Sequence, residues 1–257
     1  MAENSKIEWT HHTANLWWGC THVSPGCDNC YAEAWAKRYQ PTALWGAETP
    51  RMAIKGVWLD LDTYQRKAAA AGEVQRVFVG SMMDIAEKEM KLITRTGEWA
   101  TEDGKHLSTH YLRLRFFNQV VPASPNLQFL LLSKRPSNFN RFIPDAWHST
   151  PPANVMFGAS VVDQPTFETT YKQLLTVKGK RFLSIEPQLG PIRSVDLTGI
   201  DWVIQGGESG PRKRPFNTDW ARWMRDMCAA QGVPYFFKQV DKVQEIPDDL
   251  RIRQFPV

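Results

Sequence analysis

The stretch Arg181-Phe182-Leu183-Ser184-Ile185-Glu186-Pro187 is apolar without strict alternation and then stops at a carboxylate and a proline. A run of this kind suits a strand buried on both faces, as in a parallel sheet. Five more follow the same plan: Val77-Phe78-Val79, Phe129-Leu130-Leu131-Leu132, Val155-Met156-Phe157, Trp202-Val203-Ile204 and Tyr235-Phe236-Phe237. Between them lie helical patterns at Ala32 to Tyr39, Thr63 to Ala71, Pro165 to Leu175 and Thr218 to Gln231. Strand–helix alternation predicts an α/β fold. Each run ends in a polar cluster: Gly80 to Asp84, Ser133 to Pro136, Gly158 to Ser160, Glu186-Pro187, Gln205 to Ser209 and Lys238-Gln239. In a (β/α) barrel the ligand site lies at the C-terminal strand ends. The expectation is therefore a partial (β/α) barrel with its site at that edge. The stretch 91–118 breaks the pattern with turn-like Thr96-Gly97-Glu98 and Asp103-Gly104. It reads as an insertion over the barrel mouth. No repeat and no linker is visible, so residues 1–257 read as one domain.

Composition narrows the class. Apolar residues make up 42% of the 257 residues and charged residues 23%, ordinary values for a globular chain. No apolar run approaches the ~20 residues of a membrane helix, and Met1 to Lys6 lacks the order of a secretory signal. The expected location is the cytoplasm. A net charge of +4 permits a nucleic-acid substrate without demanding one. Tryptophan is abundant at 11, and such rings fill cores, stack on bases or anchor interfaces.

Three of the four cysteines crowd one loop, Gly19-Cys20-Thr21-His22-Val23-Ser24-Pro25-Gly26-Cys27-Asp28-Asn29-Cys30-Tyr31, with spacing C-x6-C-x2-C. Gly19, Pro25 and Gly26 make the loop turn, which lets its sulfurs converge. Three clustered thiols point to metal or redox chemistry rather than to a disulfide framework. A structural zinc needs a fourth ligand, for which His11, His12 or His22 is available. A [4Fe–4S] cluster on three cysteines would keep one iron open, where such clusters ordinarily take four. The bland alternative is a set of small buried thiols. Cys228 lies apart, on a helical pattern with Trp220, Trp223, Met224 and Met227, and reads as core.

The cysteine loop, preceded by Ile7-Glu8-Trp9-Thr10 and Trp18, resembles the opening of a phage-associated three-cysteine family. That family is itself similar to radical S-adenosylmethionine (SAM) enzymes. The segments Leu132-Ser133-Lys134-Arg135-Pro136, Phe182 to Pro191, Gln205-Gly206-Gly207-Glu208-Ser209-Gly210 and Gly232 to Gln239 carry the likeness along the chain. It departs from the usual radical-SAM pattern in three places. The spacing is wider than C-x3-C-x2-C, Asn29 replaces the aromatic before the last cysteine, and the Gly-Gly-Glu segment follows a late strand. The resemblance implies a [4Fe–4S] cluster on Cys20, Cys27 and Cys30, with SAM chelated at the open iron and cleaved to a 5′-deoxyadenosyl radical. A cofactor of this kind carries the hard chemistry and the protein orients it.

On this reading, Ser160, Glu186, Gly206, Gly207 and Glu208 are the candidate SAM contacts. A tight turn with a solvated Glu explains Gly-Gly-Glu equally well, and a salt bridge or a helix cap explains Glu186 and Ser160. Asp84 is a candidate substrate ligand or proton acceptor, against ordinary turn chemistry. Lys238, ending an aromatic strand, should face inward or be paired, and is the second candidate catalytic residue. Lys134 and Arg135 are candidate anion holders for substrate, against solvated surface charges. The implied activity is radical modification or rearrangement of a carbon centre on a nucleotide or a DNA base, with an external electron donor and no membrane partner. The competing reading is a non-catalytic zinc- or cluster-binding module that binds nucleic acid.

Overall fold

Seven strands pair in parallel in the order in which they occur along the chain. They are β1 (His12–Ala14), β2 (Gln75–Val79), β3 (Leu127–Ser133), β4 (Val155–Ser160), β5 (Lys180–Ile185), β6 (Trp202–Gly206) and β7 (Tyr235–Gln239). The computed structural model describes residues 3–40, 42–210 and 212–256. Serial order has a consequence. Parallel crossovers are right-handed, so without a reversal of strand order every crossover covers the same face. The sheet curls away from its helices into an open half-barrel whose edge strands do not meet. This is the partial (β/α) barrel that the apolar runs predict, with all six runs present and β1 added at one edge.

The helices are α1 (Tyr31–Tyr39) and α2 (Val57–Ala71), both between β1 and β2, then α3 (Thr109–Arg115), α4 (Gln164–Leu175) and α5 (Thr218–Ala230). Local signals set their ends. Gly72, in the left-handed region at φ 68°, closes α2. Asp163 caps α4 in a capping box with Thr166. Odd positions of the strands, such as Val77, Phe129, Phe157, Leu183 and Val203, pack with Leu61, Phe116, Leu174 and Met224 of the helical layer. Even positions form a separate inner cluster of Phe78, Leu130, Met156, Phe182, Trp202, Ile204 and Phe236, closed by Trp9. The period of two thus divides an outer core from a plug inside the half-barrel. At Gly158 a Cβ would stand 2.2 Å from the Phe182 ring, so this inner position is glycine because the ring fills it. The opening and closing segments meet beneath the plug. Glu8 pairs with Arg253 at 2.8 Å, and the Trp202 indole donates to the Gln254 carbonyl at 2.9 Å.

The stretch 91–118 is not one insertion. Leu92–Ile93 joins Trp17–Trp18 and Arg51–Ala53 in a small side sheet, and Thr101–Glu102 pairs with Lys105–His106 in a hairpin. From Thr109 the chain is the crossover helix from β2 to β3, α3 running on into a π-helical turn over Phe116–Val120. Phe116 packs on Phe129 with centroids 5.1 Å apart, and Phe117 on Trp147 at 4.8 Å. Among the described residues, no helix is long and apolar enough to cross a membrane.

Candidate active site

A cavity of about 250 Å³ opens at the C-terminal ends of the strands. Its floor is the top of the inner plug, Trp9 and Phe78. Its walls are residues two or four positions further along the same strand faces: Leu132 beyond Leu130, Ser184 and then Glu186 beyond Phe182, Lys238 beyond Phe236. Ser160 stands across from Ser184 in register. The cysteine loop forms one side, and Cys20, Cys27 and Cys30 all line the cavity. A mostly apolar hollow with a few convergent polar groups is the usual form of a small-molecule site. The buried Trp9 indole N–H has no hydrogen-bond partner among the described residues.

The loop is fixed at several points. A Cβ on Gly26 would stand 2.8 Å from Val162, so the glycine seats the loop against the exit of β4. Cys27 ends a tight turn, Pro25–Cys27, and Cys30 is the residue before α1. The backbone of Cys20 pairs with that of Trp45 in an isolated β-bridge. Burial, with Asp84 and Glu87 nearby, pushes the Cys20 thiol up to about 12. Burial also raises Cys30, against the pull of the Glu33 and Ala32 amides at the helix start. All three thiols border the same cavity, and cysteine thiolates are the usual ligands of iron–sulfur clusters. Among the described residues, no group of three or more His, Cys, Asp or Glu is gathered closely enough to hold a metal ion, the three cysteines included. Cys228 is buried in α5, away from the loop, and burial pushes its thiol up to about 12.

Charged residues around the cavity are mostly paired. Asp84 accepts from Ser133 Oγ at 2.7 Å, from the amides of Ala86 and Lys134 at 2.9 and 3.1 Å, and from Arg135 at 2.7 Å. Arg135 also donates to the Thr21 carbonyl and lies 3.7 Å from Cys20 Sγ. Burial opposes its charge, but Asp84, with Cys20 and Glu87, outweighs that and raises its pKa. Behind Cys20, the fully buried Arg51 donates twice to Glu87, at 2.9 and 2.7 Å. It also donates to Thr21 and to the carbonyls of Leu44, Gly46 and Thr49. Removing one partner of such a pair costs about 3–5 kcal/mol. Lys238 donates to Glu186 inside the cavity. Glu208 takes Arg214 in a two-point contact, Nε at 3.0 Å and Nη2 at 2.6 Å, and accepts from Asn29 at 3.0 Å. Arg214 reaches on to the Pro25 carbonyl at 3.1 Å. Among the described residues, the one hydrogen bond from Lys134 Nζ goes to Ser160 Oγ, at 3.4 Å.

Of the residues singled out from the sequence, Cys20, Cys27, Cys30, Asp84, Lys134, Ser160, Glu186, Glu208 and Lys238 line this one cavity. Arg135 and the two glycines do not. Arg135 spends its donors on the protein, as a brace between Asp84 and the cysteine loop. A Cβ on Gly207 would stand 2.0 Å from the Val240 carbonyl, and one on Gly206 would stand 3.2 Å from that of Gln239. Their bareness serves the packing of β6 on β7. His11 and His12 lie at the opposite end of β1: His11 accepts from the Arg76 amide, and His12 stacks on Tyr64 at 4.0 Å. They do not supply a ligand beside the cysteines. His22 does line the cavity, but its imidazole is 2.6 Å from Glu33. Ser184, Tyr31 and Arg214 were missed. Counting back two from Glu186 finds Ser184; nothing in the run Arg212-Lys213-Arg214 marks its last member as the one that turns inward.

A model of the family described as a protein of unknown function, DUF5131, matches residues 4–249. The chain belongs to the DUF5131 family. No curated protein matches this DUF5131 chain. Among solved structures, it is similar to spore photoproduct lyase complexed with dinucleoside spore photoproduct, with 12% identity and a TM-score of 0.44. That match covers 82% of this chain and 58% of the other. A mutant of spore photoproduct lyase gives 12% identity and a TM-score of 0.47, with 86% and 62% covered. The DUF5131 chain thus spans about three fifths of the length of the structures it matches.

Proposed function

We propose that this protein is a radical SAM enzyme acting on a nucleotide or a base within DNA. The observation that carries the reading is the convergence of Cys20, Cys27 and Cys30 on the cavity that Ser160, Glu186 and Lys238 enter from the strand ends. The three thiolates are the protein ligands of a [4Fe–4S] cluster that keeps one iron free for SAM. When bound, the pair supplies one-electron cleavage of SAM and, from it, a hydrogen-abstracting radical, with the electron drawn from an external donor. Arg135 and Arg214 hold the loop from two sides. Ser160 and Glu186 offer oxygen partners to a ribose or an amino group, and the apolar floor keeps water from the reacting carbon. Lys134, which has no carboxylate partner among the described residues, offers a cation suited to a phosphate. A base in a duplex has to leave its stack to reach this cavity, at a cost of a few kcal/mol.

Anaerobic reconstitution with iron and sulfide tests the reading. The expected product is brown, holds about four irons per chain, and releases 5′-deoxyadenosine from SAM under reduction. Ala at Cys20, Cys27 or Cys30 removes the colour, and Cys228→Ala keeps it. A colourless zinc protein, or cluster loss in Cys228→Ala, overturns the reading.

A further inference from the structure

Helix α1 is built the wrong way round for a helix on a core. Its buried positions are Ala32 and Ala36, while Tyr31, Trp35 and Tyr39 are 53%, 44% and 52% exposed. These three recur every four residues, so they lie on one face, about 6 Å apart along the axis. A surface helix ordinarily hides its large apolar side chains, and here the alanines do that work. The face is ordered. Trp35 packs edge-on against Trp18 at 4.9 Å and tilts on Tyr39 at 4.6 Å. Tyr31 is tied by its hydroxyl to the Ser81 carbonyl at 2.8 Å.

Two further features say what the face fits. Its charge is positive. Arg38 lies 5.4 Å from the centre of the Tyr39 ring. The acid of the helix, Glu33, is already taken by Lys37 at 2.7 Å and His22 at 2.6 Å. The face is also continuous with the cavity: Tyr31 lines it, and the helix leads outward from there to Trp35 and Tyr39. Spaced aromatic rings with a cation beside them, here Arg38, are a means by which proteins hold unpaired bases and their phosphates. From this geometry we infer that α1 is a stacking platform for single-stranded nucleic acid, delivering the strand to the cavity over Tyr31. This deepens the functional reading above, since it makes the substrate a base in an unpaired strand, and it rests on that reading only for what happens inside the cavity.

The test is anisotropy of a fluorescein-labelled oligothymidylate of about 12 nucleotides, titrated with the full chain in the absence of SAM. Trp35→Ala and Tyr39→Ala are each expected to raise Kd roughly ten-fold, while Trp35→Phe, which keeps a ring, retains most of the affinity. Arg38→Gln is expected to lower the slope of log K against log salt by about 0.7. Trp99→Ala removes a tryptophan at least as exposed as Trp35 from the side hairpin region and is expected to leave Kd unchanged. No binding, tighter binding of the matching duplex, or equal losses in Trp99→Ala and Trp35→Ala overturns the proposal. So does a protein that co-purifies through Trp35 while oligonucleotide binding ignores the same substitution. Neither SAM nor turnover enters the measurement, so failure of the radical reading leaves this result standing, and the reverse.

Discussion

Glu208 shows how one side chain can hold a loop it does not belong to. It sits just past β6, yet its partners Asn29 and Arg214 bind it to the cysteine loop. Burial works to raise its pKa, and the hydrogen bonds from Arg214 and Asn29 outweigh this and lower it. A carboxylate lowered in the folded state contributes stability above its ordinary value, 4.5, and loses it as pH falls through the lowered one. Glu208→Gln is therefore expected to cost about 2 kcal/mol at neutral pH. The thermal midpoints of the two proteins should converge as the solution is acidified below the ordinary carboxylate range; a constant gap down to acid pH refutes the linkage. The sequence marked Glu208 as a polar strand end and a candidate SAM contact, but not its partners within the protein. Its partners lie 179 and 6 residues away, and pairing across such distances has no periodicity to read. The same holds for Asp84 and Arg135. Each looked free to meet a ligand, and each is occupied by the other.

At the level of elements, the strands test best at Gly158. A methyl there meets the Phe182 ring, so Gly158→Ala is expected to destabilise by about 1–3 kcal/mol. Adding Phe182→Leu to make room should return part of the loss, and additive effects in a double-mutant cycle would show that the two positions do not touch. Strands β2 to β7 were legible because burial on both faces leaves a continuous apolar run. Strand β1 was not, being three residues at an edge with a histidine and a threonine in it. The side sheet escaped for a similar reason: strands of two or three residues have no period. Helix α3 was hidden by its own Arg113, which is fully buried against Phe142 with its guanidinium 4.1 Å from the ring. Together with the Gly104 turn, that arginine left the segment reading as part of an insertion over the barrel mouth. The inverted face of α1 was likewise invisible: its spacing announces a helix, but not which side faces in.

For the molecule as a whole, Cys228 offers a built-in gauge of opening. It is buried between α5 and the sheet, and burial pushes its thiol up to about 12. In native conditions it is expected to resist alkylation at neutral pH, and to react at the rate at which this part of the core opens. Mass spectrometry of timed labelling checks this; prompt modification of Cys228 in the folded protein would show that α5 detaches easily. The cooperative unit should include both ends of the half-barrel, because segments 5–9 and 252–255 share the plug formed by Trp202 and Phe236.

The Glu8–Arg253 contact beneath that plug also makes the order of the polypeptide negotiable. Two segments 245 residues apart in sequence stand within hydrogen-bond distance. A short Gly/Ser tether between them would close the chain into a ring at small entropic cost. The ring can then be reopened at the exposed turn between Thr101–Glu102 and Lys105–His106, outside the seven-stranded sheet. Such a circular permutant keeps every strand of the half-barrel contiguous and is expected to melt cooperatively near the parent temperature. Opening the ring inside β5 instead should abolish folding, and equal stability of the two permutants would mean that the sheet does not depend on strand continuity.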